Sequence, residues 1–262
     1  MMRSLYTSAT GMGVQQRQID TVANNLANVD TAGYKKSRNN FEDLLYQIDK
    51  MAGAQSSQNT TVPVGIHSGH GATHVSTEKI FTQGNMRNTG IELDVAVEGN
   101  GFFQILQPSG AIAYSRAGNF QRDQQGRLVT QEGFPLEPEI NIPKDARKVQ
   151  INRDGSVMVW VGDEAQPTTV GTIQLARFVN PAGLTPLGHN LYAPSVASGN
   201  AVVENPGQNG MGALLQGFLE MSNVSVVDEM INMIVAQRAY EVNSKAIQTS
   251  DDMLKTANNI IR

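Results

Sequence analysis

The stretch ANNLANVDTAGYKK, residues 23–36, decides how the N-terminal part of the chain folds. Asn24, Asn25 and Asn28 lie in it, although asparagine is a poor helix former because its short amide competes for nearby backbone groups. Gly33 follows and suits the left-handed conformation that ends many helices. The stretch therefore predicts the end of a long helix whose side-chain amides donate and accept hydrogen bonds with neighbouring helices.

The residues before this stretch show an apolar repeat. Leu5, Met12, Ile19 and Leu26 recur every seven residues, which is the spacing of a coiled-coil seam. A helix of about 25 residues would be about 38 Å long, at about 1.5 Å per residue. The N-terminal segment is therefore predicted to be one long helix that needs a helical partner.

The other end of the chain shows the same repeat. A second row of apolar residues, again seven apart, consists of Val226, Met233, Tyr240, Ile247, Leu254 and Ile261. Matching seams at the two ends predict that the terminal helices pair with each other in a coiled-coil-like manner.

The N-terminal helix carries very little charge. Arg3, Arg17 and Asp20 are its only charged residues up to residue 29, whereas a solvated helix normally carries many charges opposite its apolar stripe. Two interpretations remain open: a helical hairpin on an ordinary globular domain, or helices buried between subunits. The low charge favours burial between subunits.

The middle of the chain differs from its ends. The run GAQSSQNTTVPVG, residues 53–65, has too little apolar content for a core and predicts an extended arm. Further on, Val95 and Val97 lie on an alternating apolar face that also includes Ile91 and Leu93, and Val157 and Val159 follow a turn at Asp154 and Gly155; both patterns predict strands.

These patterns predict an α+β protein with paired terminal helices, an extended arm and an inserted all-β domain. The predicted domains are an inner helical domain of residues 1–33 and 221–262, an arm and linker region of residues 34–90 and 200–220, and an outer β domain of residues 91–199.

Three of the four histidines form the sharpest candidate for chemistry. His67, His70 and His74 lie in GIHSGHGATH, residues 65–74, and neutral imidazoles at such spacing can bind Zn²⁺ or Ni²⁺. No carboxylate lies within this segment, and its glycines leave it flexible. The histidines are therefore only weak candidates for metal ligands, and no metal site is expected. The sequence also indicates no cofactor and no catalytic group of side chains.

Composition excludes several other functions. The net charge is −4 without a run of either sign, so the chain lacks the electrostatic footprint of a nucleic-acid or anionic-membrane binder. It has no cysteine, which removes disulfides and thiolate chemistry. No apolar run near the N-terminus is long enough for a cleaved signal peptide or a membrane span.

Long segments of the chain resemble the axial proteins of the bacterial flagellar rod and hook. The segments that carry the resemblance are MRSLYTSATGM (residues 2–12), QQRQIDTVANNLANVDTAGYKKSR (15–38), EGNGFFQI (98–105), YSRAGNFQRDQQGRLVTQEGFPL (114–136) and GFLEMSNVSVVDEMINMIVAQRAYEVNSKAIQTSDDML (217–254). They cover both ends and much of the predicted β domain. The histidine cluster is not part of this family pattern.

The resemblance implies a structural subunit rather than an enzyme. In this family the terminal helices pair and line the inner wall of a helical tube, the arm contacts other subunits, and the β domain lies outside. It implies as partners other copies of the chain, the proximal rod and hook subunits, the surrounding basal-body ring proteins and the flagellar export apparatus. It also implies export to the periplasmic space without a cleaved signal, and no membrane insertion.

Two alternatives to the favoured function stay open: another rod or hook subunit of the same family, or a metal- or ligand-binding β module whose helices only dimerise. If the helices belong to a polymer, residues 1–30 and 226–262 are expected to be largely disordered in the monomer and to become ordered on assembly.

Overall fold

The computed structural model describes residues 2–53, 55–57, 60–61, 63–162 and 166–260 of the chain. These residues form two long helices, one near each end, and 22 strands between them. The protein is therefore α+β, as the sequence predicts.

The two helices are α1, Met2–Ala27, and α2, Val226–Ile260. Ser225 caps α2, since its hydroxyl accepts a hydrogen bond from the backbone N–H of Asp228 at 3.4 Å and its carbonyl accepts one from Glu229 at 3.0 Å. The acidic side chains of Asp228 and Glu229 in the first turn favour the positive end of the helix dipole.

α1 ends earlier than the sequence predicts. The helix stops at Ala27, and a turn follows in which the N–H of Thr31 donates to the carbonyl of Asn28 at 3.2 Å. Gly33 has the predicted left-handed conformation, with a φ of 71°, but it lies six residues beyond the helix. It shapes the turn after the helix and does not cap the helix itself.

The chain divides into two compact units. The first unit comprises the residues up to Leu26, Ser37–Glu78 and the residues from Ser225 onward. The second unit comprises Ala27–Lys36 and Lys79–Val224.

The first unit adds six short strands to the two helices. They are β1 Ser37–Asp43, β2 Tyr46–Lys50, β3 Gln55–Ser57, β4 Thr60–Thr61, β5 Ile66–Gly69 and β6 Ala72–Lys79. They pair as β1–β6, β2–β5 and β3–β4. The predicted arm thus contains paired strands, with Tyr46 opposite Gly69 in β2–β5. Four residues of its polar run, 54, 58, 59 and 62, lie outside the described residues.

The second unit contains the remaining strands. They are β7 Met86–Asn88, β8 Val95–Glu98, β9 Phe102–Leu106, β10 Ile112–Ser115, β11 Gln121–Arg122, β12 Leu128–Val129, β13 Leu136–Glu137, β14 Ala146–Ile151, β15 Ser156–Val161, β16 Thr168–Thr172, β17 Leu175–Arg177, β18 Thr185–Gly188, β19 Leu191–Ala193, β20 Val202–Glu204, β21 Ala213–Gln216 and β22 Phe218–Glu220. A short 3-10 turn, Pro181–Gly183, precedes β18.

A seven-stranded sheet organises the second unit. Its strand order is β18-β19-β10-β9-β17-β20, and β13 also pairs with β9. Phe103 and Ile105 of β9 and Leu175 of β17 are fully buried in the main apolar core. Smaller pairs, β8–β21, β7–β22 and β11–β12, and the three-stranded sheet β14-β15-β16 complete the unit.

The predicted turn at Asp154 and Gly155 is confirmed. β14 and β15 form an antiparallel hairpin around it, and Val157 and Val159 are fully buried. The prediction at Ile91 is wrong, because Ile91 precedes β8 and its side chain is 57% exposed.

Candidate functional site

The two helices of the first unit run antiparallel along each other. The hydroxyls of Ser4 and Ser250 are 3.1 Å apart near one end, and the amide of Asn25 donates to Glu229 Oε2 at 3.2 Å near the other. Between them, a Cβ built on Gly11 would lie 3.0 Å from Asn243 Nδ2. From one contact to the next, the residue number increases along α1 by as much as it decreases along α2, as antiparallel helices require.

Small and polar residues form this helix contact. The buried residues of α2 are Glu229, Ala236, seven residues later, and Ser250, fourteen residues after that, with the half-buried Asn243 midway between the last two. On α1, Val22 and Asn25 are 1% and 2% exposed. Such residues allow the backbones to approach closely and supply hydrogen bonds between the helices.

The large apolar residues that the sequence singles out lie beside this contact. Most members of the two predicted rows are half-buried: Leu5, Met12, Ile19 and Leu26 on α1, and Met233, Ile247 and Leu254 on α2. Val226 and Tyr240 are exposed, and Ile261 lies outside the described residues. The α1 residues that contact α2, Ser4, Gly11 and Asn25, lie one residue before the predicted row, because this contact uses small and polar side chains, which add nothing to an apolar repeat.

The first half of α2 presents an exposed apolar face. Six large apolar side chains are each between 51% and 67% exposed, and their spacing of three, four, seven and eight residues places them along one side of the helix. They are Val227, Met230, Ile231, Ile234, Val235 and Val242. Single exposed apolar residues are common on protein surfaces, but six along one side of a helix indicate an interaction site.

Asn25 of the quoted stretch joins three elements of the first unit. Its side chain exchanges two hydrogen bonds of 2.9 Å with the backbone of Ser37, which begins β1, and donates to Glu229 of α2. The predicted outward amide is therefore buried within the chain. Asn28 accepts a hydrogen bond from the Thr31 hydroxyl at 3.3 Å, and Asn24 is exposed.

A second asparagine, which no periodic pattern of the sequence marks, attaches the β1–β6 sheet to α1. Asn39 is 8% exposed, and its amide donates to the carbonyl of Arg17 at 3.0 Å and to the hydroxyl of Thr21 at 2.8 Å. Its own carbonyl accepts from Thr77 of β6 at 2.8 Å. A buried amide in a polar strand leaves no periodic signal, so only the fold reveals it.

Gly33 fills a position in the second unit that requires glycine. Its φ is positive, and a Cβ there would lie 2.4 Å from the backbone nitrogen of Ala117. Its N–H donates to the carbonyl of Glu220 at 2.8 Å. The turn after α1 is therefore packed directly against the backbone of β22.

Two residues further on, Lys35 forms a buried ion cluster with Glu220 and Arg116. Lys35 Nζ lies 2.6 Å from Glu220 Oε1, and Arg116 Nη1 lies 3.6 Å from Glu220 Oε2. All three side chains are almost completely buried, and burial lowers the pKa of Lys35 and of Arg116 while Glu220 opposes that shift. No local sequence pattern predicts this cluster, since its members lie up to 185 residues apart.

The three candidate metal ligands do not converge. His67 is exposed on β5, His70 is half-buried after β5, and His74 of β6 lies 3.0 Å from the Thr77 hydroxyl and stacks edge-on against Phe41. Among the described residues, no three His, Asp or Glu side chains form a group that could hold a metal ion. Within the same residues, neither helix contains a stretch that is apolar enough over the length of a membrane span to cross a bilayer.

Three family models match the chain. They describe a flagella basal body rod protein (residues 5–35), the flagellar hook protein FlgE/F/G D1 domain (residues 96–159) and the C-terminal part of flagellar basal body rod FlgEFG proteins (residues 215–260). The matched segments include most of α1 with the turn that follows it, the part of the second unit from β8 into β15, and all of α2.

Curated relatives match over the full length. The chain is 51% identical to the flagellar basal-body rod protein FlgG of Buchnera aphidicola subsp. Schizaphis graminum, covering 97% of this chain and 98% of the relative. It is 49% identical to FlgG of Borreliella burgdorferi over both complete chains, and 45% identical to FlgG of Caulobacter vibrioides over 99% of each. The chain therefore belongs to the FlgG family of flagellar basal-body rod proteins, and it is a structural subunit of the distal rod in the flagellar basal body.

Proposed function

We propose that the chain polymerises through its terminal helices into a rigid helical tube that transmits motor torque to the hook. The exposed apolar face of α2 is the observation that carries this proposal. Burying one such side chain contributes about 1.5–3 kcal/mol, so a stripe of six supplies a large driving force for association. In a rod built from many copies of one subunit, a neighbouring copy of the same chain can cover the stripe of each subunit along the rod.

The half-buried apolar rows extend the proposed interface. Leu5, Met12, Ile19 and Leu26 flank the contact between α1 and α2, where the helices of a neighbouring copy can complete a coiled-coil-like seam. The same reasoning includes Met233, Ile247 and Leu254 on α2 and extends to Ile261. Gly33 and Asn25 then act within the subunit, where they fix the chain direction after α1. The exposed Asn24 and the half-buried Asn28 remain proposed contacts to a neighbouring copy.

The proposed arrangement places the terminal helices, residues 1–33 and 221–262, at the inner wall. The arm and linker region, residues 34–90 and 200–220, connects neighbouring subunits, and residues 91–199 form an inserted outer β domain. Support for the inner position comes from the low charge of α1, because a helix covered on several sides by other helices avoids charged side chains.

The proposed partners are the proximal rod and hook subunits at the two ends of the tube and the ring proteins around it. The proposed route is export through the flagellar export apparatus into the periplasmic space without a cleaved signal peptide. A polymer subunit of this kind performs no catalysis, and its role is mechanical.

Substituting one residue of the stripe tests the proposal. Ile234→Asp places a charge in the interface, so we expect purified, concentrated protein to lose straight tubes in electron micrographs and to sediment as a monomer. Val196→Asp is the matched control, since Val196 is a fully exposed valine of the second unit outside the stripe. Normal tubes from Ile234→Asp would contradict the proposed interface, whereas loss of tubes in both variants would indicate a nonspecific effect of charge.

A further inference from the structure

The second unit contains a cavity of about 460 Å³ that the proposed assembly through helices does not use. This volume lies within the range of small-molecule sites. Its wall combines aromatic rings, exposed aliphatic side chains and two arginines, among them Phe81, Phe102, Phe178, Val179, Arg116 and Arg177. All of them belong to the same compact unit.

One wall of the cavity is aromatic. The ring of Phe102 packs edge-to-face against Phe81 at 5.3 Å and against Phe178 at 5.9 Å between centroids. At the rim, Val179 is 90% exposed. A wall of locked rings with an exposed aliphatic rim favours a ligand that has an apolar or aromatic body.

Arg116 supplies positive charge from the buried side of the cavity. Its guanidinium carbon lies 5.5 Å from the centre of the Phe102 ring, and Nη2 donates to the carbonyl of Gly99 at 2.6 Å. Arg116 Nε has no hydrogen-bond partner in the part of the chain that the structure describes, although the side chain is only 2% exposed. An unsatisfied buried donor on a charged group is costly, and a negative charge in the adjoining cavity would offset part of that cost.

The surrounding ion cluster does not neutralise this charge. Lys35 and Arg116 share the single carboxylate of Glu220, so the buried cluster carries one excess positive charge. Glu220 Oε2 is 3.6 Å from Arg116 and forms no hydrogen bond with any described residue. The excess charge favours a negatively charged group in the adjoining cavity.

Arg177 lies at the accessible side of the same cavity. It is exposed on β17, and among the described residues no carboxylate lies within 4 Å of its guanidinium. Its fork of donors is therefore available for bidentate binding of a carboxylate.

We propose that this cavity binds a carboxylate attached to an apolar or aromatic body. The carboxylate lies against Arg177, within the field of Arg116, and the body packs against the rings of Phe102 and Phe178. A small hydrated anion such as phosphate fits less well, because the aromatic wall offers it no hydrogen bonds. The inference is independent of the proposed polymer, since one chain provides every residue of the cavity.

Two sources carry this chemistry: a soluble aromatic carboxylate, and an acidic side chain between apolar residues on another chain. The protein itself displays the second kind in FEDLLY, residues 41–46, where Glu42 and Asp43 are exposed beside Phe41 and the strongly exposed Leu45. Phenylacetate serves as probe for the first source, and a peptide of sequence FEDLLY serves for the second.

Calorimetric titration of the full chain with phenylacetate tests the site directly. We expect saturable binding at millimolar concentration and at least about tenfold weaker binding of neutral phenylacetamide, because a charge-assisted hydrogen bond is lost. Inorganic phosphate is expected not to displace phenylacetate at equal concentration. Equal affinity for acid and amide, or displacement by phosphate, would overturn the proposed ligand class.

Variants locate the binding. Arg177→Gln removes an exposed charge and is expected to weaken phenylacetate at least about tenfold, and Val179→Asp should weaken it by repulsion at the rim. Arg87→Gln is the control, because Arg87 is an exposed arginine of β7 outside the cavity. Unchanged affinity in both Arg177→Gln and Val179→Asp would overturn the assignment of the site.

Titration with peptides identifies the source of the carboxylate. The peptide FEDLLY is compared with FQNLLY, which keeps the apolar residues and lacks both carboxylates. If the acidic peptide binds more tightly than phenylacetate and loses affinity in Arg177→Gln, the ligand is a protein side chain; the reverse order identifies a small molecule. Absence of saturable binding by both probes would overturn the proposal.

Discussion

At the scale of single residues, buried polar groups join parts of the chain that are distant in sequence. Glu220 accepts from Lys35 at 2.6 Å and from the backbone N–H of Gly84 at 2.9 Å. Lys35 also donates to the carbonyl of Thr82 at 2.7 Å. One carboxylate therefore connects the turn after α1, the segment before β7 and the strand β22.

Removing this carboxylate should strongly destabilise the second unit. Glu220→Gln leaves Lys35 and Arg116 as buried charges without a counter-ion, so we expect a loss of about 3–5 kcal/mol in the free energy of unfolding. Urea unfolding followed by the fluorescence of Trp160, the single tryptophan, measures the change. Glu98→Gln, which removes an exposed pair with Arg153, should cost about 1 kcal/mol or less. Equal effects of the two substitutions would contradict a special role of the cluster.

Asp123 should make the stability of the second unit depend on acid pH. Partial desolvation raises its pKa, but hydrogen bonds from the Arg127 side chain and from the backbone of Gln125 and Arg127 outweigh this and leave the pKa below its ordinary value of 3.8. A lowered carboxyl pKa stabilises the fold above about pH 4, and this contribution disappears as the pH falls through the folded-state pKa.

Asp123→Asn tests this dependence. The stability difference between the parent and the variant should be constant near neutral pH and should shrink below about pH 4, as measured by urea unfolding at several pH values. Asp145→Asn, at an exposed aspartate outside such a network, is the control. A difference that persists undiminished to about pH 2 would rule out the Asp123 carboxylate as its source.

At the scale of elements, polar side chains position α1 against its neighbours. Asn25 and Asn39 fix α1 to β1, α2 and β6 by directed hydrogen bonds, and small residues occupy the helix contact. The large apolar side chains are left at the flanks and on the exposed side of α2. The first unit is thus held internally by polar contacts, while its apolar surface is available to partners.

Asn25→Ala tests the importance of these directed bonds. The substitution leaves Ser37 and Glu229 without their partner, and each unsatisfied buried group costs about 1–3 kcal/mol. We expect a lower urea midpoint for the helical circular dichroism signal of the assembled protein, in which both terminal helices are expected to be ordered. Gln16→Ala, which removes only an exposed bond to Asp20, should leave the midpoint nearly unchanged. A wild-type midpoint in Asn25→Ala would show that the junction is dispensable.

The elements also show what the sequence could predict. Repeats of apolar residues predict both helices, because the period of a helix appears directly in the sequence. Alternating apolar residues after an Asp-Gly turn predict the hairpin that contains Val157 and Val159. The contact between the helices was displaced from the predicted row, since Gly11 and Ala236 carry no apolar signal. The cluster of Lys35, Arg116 and Glu220 had no local signal at all, because burial of a charge depends on partners far along the chain.

At the scale of the whole molecule, each compact unit is built from separate stretches of sequence. The first unit contains both ends of the chain, and the second contains the short turn Ala27–Lys36 together with Lys79–Val224. The apolar stripe belongs to the first unit and the anion cavity to the second. Assembly and ligand binding can therefore be disturbed separately by substitution.

Hydrogen exchange should distinguish the two units in dilute monomer and in the assembled state. We expect amides of residues 226–242 to exchange much faster in the monomer than those of β9 and β17, because the stripe lacks partners, and to become protected on assembly. Mass spectrometry of peptic peptides measures both states. Strong protection of α2 in dilute monomer would contradict the expected ordering on assembly.

The contact of Gly33 and Lys35 with Glu220 has a consequence for the order of folding. Completing the buried cluster requires residues separated by 185 positions to meet, and such non-local contacts are expected to slow the folding of the second unit. During synthesis the N-terminal residues emerge first, so the charges of Lys35 and Arg116 stay in water until Glu220 has also emerged. Because β22 is the last strand of the unit, the β structure is completed only after nearly the whole polypeptide has emerged.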